Sequence, residues 1–197
     1  MRVWSVISVF MFAACGNNTS DTVEDIFTNH GIPGTSLYNL TSEWIAQDSS
    51  VLHLEDLSGK PQVLALIYTS CQAACPRIVA DMRHIESELG EDVSAVGFVL
   101  VSIDPEHDKP ARLDTFAREN FLDPSRWKLL YGESPDVMEV AAVLGVRYRK
   151  TTPLDYAHSN IITVLNEVGD VVYQQDGLGA DPKVTVQKIR DLVNKPS

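Results

Sequence analysis

The chain has no methionine-rich tract, no run of basic residues, no internal repeat and no low-complexity segment. Its four methionines are scattered, which excludes a thioether-rich metal-binding stretch, and Met82 and Met138 fall where apolar helical faces are expected. Positive charge is scarce: 16 Lys and Arg stand against 27 Asp and Glu, a net of -11. Such a surface repels nucleic acid and anionic lipid headgroups, so neither is expected as a partner. No apolar stretch reaches the ~20 residues that a membrane-spanning helix needs. Cysteine is rare too, with three in 197 residues, and two of them lie four positions apart.

The third cysteine ends an N-terminal signal. Arg2 supplies the positive start, Val3 to Phe12 the apolar centre, and Phe12-Ala13-Ala14-Cys15 a small-residue cleavage site that resembles a bacterial lipobox. The expected organisation is a signal peptide over 1–14, a lipid-anchored flexible tether over 15–36 and a single domain over 37–197. An ordinary secretory signal with an incidental cysteine is the alternative. Either version exports the protein to the bacterial periplasm, and a lipid on Cys15 would hold it to a membrane. Gly16, where aspartate would signal inner-membrane retention, leans towards the outer membrane. Removing residues 1–14 takes away only Arg2, leaving 15 basic and 27 acidic residues, a net of -12.

Within the domain, apolar periodicity alternates between strand and helix. Glu43 to Leu54 predicts a small hairpin turning at Gln47-Asp48-Ser49-Ser50. Val63 to Tyr68 and Val93 to Ile103 are apolar runs of the kind buried on both sheet faces. Helical spacing follows each run, first through Ile78, Met82, Ile85 and Leu89, then over Lys109 to Phe121 with Pro110 in its first turn. Trp127 to Tyr131 reads as a strand, and Ser134 to Leu144 as a helix stopped by Gly145. A hairpin over Asn160 to Gln174 and a helix over Asp181 to Val193 complete the chain. The expected fold is α/β and thioredoxin-like, a mixed central sheet flanked by helices with an N-terminal hairpin extension.

The chemistry concentrates in Thr69-Ser70-Cys71-Gln72-Ala73-Ala74-Cys75-Pro76, where a strand gives way to a helix. Unpaired N–H groups and the positive dipole end at a helix start stabilise a thiolate. If the helix begins at Cys71, the i, i+4 spacing turns Cys71 and Cys75 the same way, suited to one soft ion with room for a third ligand. A bridge enclosing only three residues removes little chain entropy, so a purely stabilising disulfide is a poor reason for the pair. In an oxidising compartment the two would be a disulfide unless reduced or held by metal. His158 lies in the loop before an apolar strand and is the candidate third ligand, although on its own a histidine there is more often a surface or hydrogen-bonding residue. Asp104 ends a strand and is read either as a group orienting that histidine or as a turn cap. His84 fits a solvated helix face and His107 a surface loop; His30 and His53 imply no partner.

Three blocks, Tyr68-Thr69-Ser70-Cys71-Gln72-Ala73-Ala74-Cys75-Pro76, Val101-Ser102-Ile103-Asp104-Pro105-Glu106-His107-Asp108 and Asp155-Tyr156-Ala157-His158-Ser159-Asn160-Ile161-Ile162, resemble the signature blocks of the Sco/SenC family in order and spacing. The likeness runs over about residues 38 to 193. It implies a membrane-tethered thioredoxin fold that binds copper, as Cu(I) or Cu(II), through Cys71, Cys75 and His158, with Asp104 behind them. It also implies a role in assembling the dinuclear copper centre of cytochrome c oxidase. The implied partners are the apoprotein of a copper enzyme, foremost an oxidase subunit, a copper donor and a thiol reductant. Gln72 stands where the family usually has proline, and His107 replaces its common arginine.

Two functional classes stay open at this level. One is a copper carrier; the other is a metal-free thiol–disulfide reductase in which Cys71 attacks and Cys75 resolves. A peroxidase would need a Thr-x-x-Cys turn, whereas Thr69 lies two residues before Cys71.

Overall fold

The computed structural model describes Met1 and residues 36–194. The signal segment, Cys15 and the tether up to residue 35 lie outside the described residues, as do residues 195–197. No helix among the described residues is long and apolar enough to cross a membrane.

The hairpin β1 (Glu43–Ala46) and β2 (Val51–His53) forms as its turn residues predict, with Ser50 tied to the Asp48 carboxylate. Strands β3 (Gln62–Ile67) and β4 (Gly97–Ser102) are buried at every residue, which requires cover on both faces of the sheet. Helix α1 (Ala74–Leu89) joins them, and α2 (Pro110–Glu119) leads on to β5 (Trp127–Tyr131). Next come α3 (Ser134–Val143), a two-stranded ribbon of β6 (Tyr148–Lys150) and β7 (Tyr156–His158), the hairpin β8 (Ile161–Leu165) and β9 (Val171–Asp176), and α4 (Lys183–Val193). The main sheet has the order β2-β1-β5-β4-β3-β8-β9, with β4 parallel to β3 and β5 and the other pairs antiparallel. Helix α4 packs on β9 and on α1, whereas α2 lies against β5 and β1.

The expected mixed sheet with flanking helices is present, and the N-terminal hairpin becomes its edge through β1 pairing to β5. Four local expectations change. The cysteine helix starts at Ala74, so Cys71 sits in the turn before it. The apolar run from Val93 opens as a 3-10 turn over Gly90–Ala95 before β4 begins. Met138 is 62% exposed rather than on a buried face, because α3 turns Val137, Val140 and Ala141 inward instead. His158 closes a strand of the ribbon instead of lying in a loop, a short pairing that apolar periodicity cannot signal.

The core centres on Trp44, Phe98 and Trp127, all without exposure. Phe98 and Trp127 stack at 4.8 Å and 20°. Truncating Phe98 removes that stack and leaves a cavity the fully buried β4 cannot close. Phe98→Ala is therefore expected to destabilise the domain by about 3–5 kcal/mol, read as a lower denaturant midpoint at unchanged slope. A loss under about 1 kcal/mol would mean that the neighbours collapse into the space.

Candidate metal centre

Strand pairing brings three distant segments to one edge. Ile67 lies beside Ser102 in the parallel register of β3 and β4, so the loops leaving both strands run side by side. Strand β8 runs antiparallel to β3, with Ile162 opposite Ala65, so its start lies near the carboxyl end of β3. The ribbon that precedes β8 then delivers His158 to that edge. This is the fold-back that the three sequence blocks need before they can meet.

The Cys71 sulfur accepts the Cys75 N–H at 3.3 Å, at the unpaired start of α1. The Cys75 sulfur accepts the Tyr68 N–H at 3.5 Å and lies 3.8 Å from His158 Nε2. His158 Nδ1 is 3.1 Å from the Ser159 carbonyl, which can only accept; Nδ1 therefore carries the proton and Nε2 turns its lone pair to the Cys75 sulfur. Burial holds the His158 pKa below the ordinary imidazole value, against the opposing bond to Ser159, and so favours the neutral ligand form. The Tyr68 ring meets the imidazole edge-on at 5.9 Å and packs at a tilt against the Tyr156 ring at 5.2 Å, so aromatic carbon borders the histidine.

The two thiols differ sharply. Burial pushes the Cys71 thiol up, but the Cys75 and Ala73 N–H groups and the Tyr68 hydroxyl outweigh it, and its pKa falls below the ordinary thiol value. Cys75, with no exposure, is driven well above that value by burial, reinforced by the charges of Cys71 and Asp108. Tyr68 itself is raised to about 12, first by burial and then by its bond to Cys71. Both cysteines are free thiols here. Cys75 is paired with the imidazole and Cys71 lies in the adjoining turn; two sulfurs and one neutral imidazole are donor types that suit a soft cation, and the same thiol pair suits disulfide exchange.

Asp104 is fully buried. It accepts the Tyr156 hydroxyl at 3.2 Å and His107 Nδ1 at 2.8 Å, and its carbonyl receives the Asp108 N–H. Among the described residues it makes no hydrogen bond to His158; its link to that strand passes through Tyr156, two residues earlier. His107 sits at a half-exposed turn against Asp104, and His84 pairs with Glu88 on an open helix face.

Sequence reasoning passed over Asp108 and Arg112. The buried Asp108 carboxylate accepts the Thr69 N–H at 2.9 Å, the Thr69 hydroxyl and the Ser102 hydroxyl at 2.6 Å. Arg112 grips the same threonine through its hydroxyl at 3.0 Å and its carbonyl at 3.3 Å. Thr69 is thereby turned away from a peroxidase-like role beside Cys71 and holds the cysteine turn to β4 and α2. No spacing in the sequence links Thr69 to Asp108; only the parallel register does.

Comparison with known proteins gives a consistent identification. A family model described as SCO1/SenC matches residues 36–194. The chain belongs to the SCO1/SenC family. A SCO1 protein homolog from Bacillus subtilis is 33% identical over 97 residues, covering 49% of this chain and 50% of the relative. The matched stretches span 50% and 64% of the length of two curated relatives. A SCO1/SenC family lipoprotein from Bacillus anthracis superposes with a TM-score of 0.73 at 25% identity, over 83% of this chain and all (100%) of that one. ScoI of Bradyrhizobium japonicum, solved with copper bound, gives 0.66 at 22% identity over 77% of this chain and 96% of its own, a likeness of fold.

The unequal thiols set an order of reactivity, since the thiolate is the nucleophile. Alkylation followed by mass mapping between about pH 5 and 9 should label Cys71 well before an ordinary thiol (about 8.5) and leave Cys75 untouched throughout. Equal labelling of both would contradict the assigned asymmetry.

Proposed function

We propose that the protein is an exported copper carrier that loads the dinuclear copper centre of a respiratory oxidase or a related copper enzyme. The observation that carries this reading is the His158 Nε2 lone pair 3.8 Å from the Cys75 sulfur, with the Cys71 sulfur held in the adjoining turn by the Cys75 N–H. Thiolates select Cu(I), and imidazole accepts both copper states. Cys71, already biased to the thiolate, makes the first contact. Cys75 gives up its proton as the ion enters, which couples capture to pH. His158 closes the set with its proton held on Nδ1. Relatives solved with copper and the family match support the same assignment.

The domain (37–197) would be tethered by residues 15–36 and anchored through a lipid on Cys15 after loss of 1–14. A family lipoprotein among the structural relatives supports the lipid anchor and export, while the periplasm follows from the signal and Gly16 favours the outer membrane. The partners are the apoprotein of the copper enzyme, a copper donor and a thiol reductant that returns the cysteines to the dithiol.

The thiol asymmetry favours a second reading, metal-free reduction of a client's disulfide. There Cys71 attacks one client sulfur and releases the other as a thiolate, Cys75 then attacks the Cys71 sulfur of the mixed disulfide and releases the first, and the client gains two electrons as the Cys71–Cys75 disulfide forms. His158 separates the two. Titrating the reduced protein with Cu(I) should show His158→Ala binding on the order of 100-fold more weakly, about 2.7 kcal/mol, and Cys75→Ser weaker still. Disulfide exchange should survive His158→Ala. Native and His158→Ala proteins of equal copper affinity would remove the three-ligand site, and absence of tight copper binding in every form would leave the reductase.

A further inference from the structure

Resting on the copper-carrier reading, we propose that the outer face of the β6–β7 ribbon docks an acidic polypeptide, the protein that exchanges copper with this one. The chain is strongly acidic, with a net charge of -11, so its overall field predicts the opposite preference. Beside His158, however, the local charge reverses. Side chains alternate along a strand, so Arg147 and Arg149 share the face opposite to Tyr148 and Lys150. Arg149 lies across from Ala157, whose methyl leaves its guanidinium uncovered, and Arg147 pairs by backbone with Ser159.

Among the described residues neither guanidinium has an ion pair or a hydrogen bond, and both residues are exposed. That is unusual here, where other basic groups near the site are neutralised. Lys150 holds Glu106 at 2.6 Å, and Arg112 is committed to Thr69 with Glu119 at 3.4 Å. The acid on the ribbon's own turn, Asp155, takes the Thr152 hydroxyl at 3.3 Å instead of an arginine. The two free cations border a shallow hollow of about 320 Å³ whose lining also includes Tyr148, Ala157, Ser159 and His158 itself. A carboxylate-bearing loop seated there would lie against the ribbon strand that carries His158 on its other face.

Which charge wins depends on screening. At about 0.15 M salt the Debye length is ~8 Å, so distant carboxylates contribute little to a ligand seated on the ribbon, while the two arginines that border the hollow act almost unscreened. Guanidinium forks also match carboxylates in paired hydrogen bonds, which adds orientation to attraction. The acidic bulk then serves to reject misplaced encounters. The exchange itself moves Cu(I) between thiolate sets without change of oxidation state. The proton that Cys75 releases is matched by one taken up on the sulfur the donor vacates.

The test uses the full-length reduced chain and synthetic peptides that share one Cys-x-x-Cys loop, flanked by glutamates or by lysines. Metal-free, the glutamate peptide should shift the backbone amides of residues 147–159 at about 0.15 M salt, and the lysine peptide should not. Loaded with Cu(I), the glutamate peptide should transfer its ion about tenfold faster than the lysine peptide. Arg147→Glu with Arg149→Glu should reverse both preferences and leave the equilibrium copper affinity unchanged, while the paired lysine substitutions should keep the native preference. A lysine peptide that binds or transfers faster to the native chain overturns the proposal, as does a glutamate preference indifferent to the arginine reversal. If the native chain takes no copper, the copper-carrier reading fails, and the metal-free amide shifts still decide the docking face.

Discussion

Strand β3 hydrogen-bonds to β4 on one side and to β8 on the other, and everything at the site follows from that double pairing. The parallel pair sets the cysteine turn next to the Asp104–Asp108 turn. The antiparallel pair brings the start of β8, and with it the ribbon, to the same edge. A one-residue slip in either register would turn every buried side chain of the slipped strand to the opposite face. Full burial of β3 and β4 on both faces makes such a slip costly, so the site inherits the rigidity of the core.

Two buried carboxylates convert that proximity into fixed geometry. Asp108 ties Thr69 to Ser102, and Asp104 ties Tyr156 to the His107 turn. Neither bonds to a sulfur or to His158; each anchors the backbone that carries one. A buried carboxylate without partners would be expensive, but both are saturated by N–H and O–H donors, so burial strengthens the anchors. Asp108 also contributes negative charge towards Cys75, while backbone N–H groups and Tyr68 favour a thiolate at Cys71. One scaffold thus separates two chemically identical thiols into an available and a reserved one.

The strands, the major helices and the cysteine turn were legible because apolar periodicity and helix-start chemistry are local properties. Cys71 and Cys75 could be singled out for the same reason, whereas His158 and Asp104 were picked out by the resemblance of their sequence blocks to those of the family. The ribbon was not legible. Tyr148-Arg149-Lys150 and Tyr156-Ala157-His158 are too short and too mixed in polarity to announce a pair. Asp108 and Arg112 were missed since their partner, Thr69, is 39 and 43 positions away. The exposed Met138 was misplaced because α3 is apolar enough around its circumference that periodicity does not choose its inner face.

By itself the sequence determined the order of strands and helices and the chemical types at the site: two thiols at a helix start, one imidazole before a strand and one acid after another. Tertiary structure alone decided which nitrogen of His158 faces Cys75 and which carboxylate holds which turn. The reason is physical. Periodicity and capping act over a few residues, whereas donor convergence, desolvation and charge coupling depend on distances across the sheet, and those exist only once β3 has found both its neighbours.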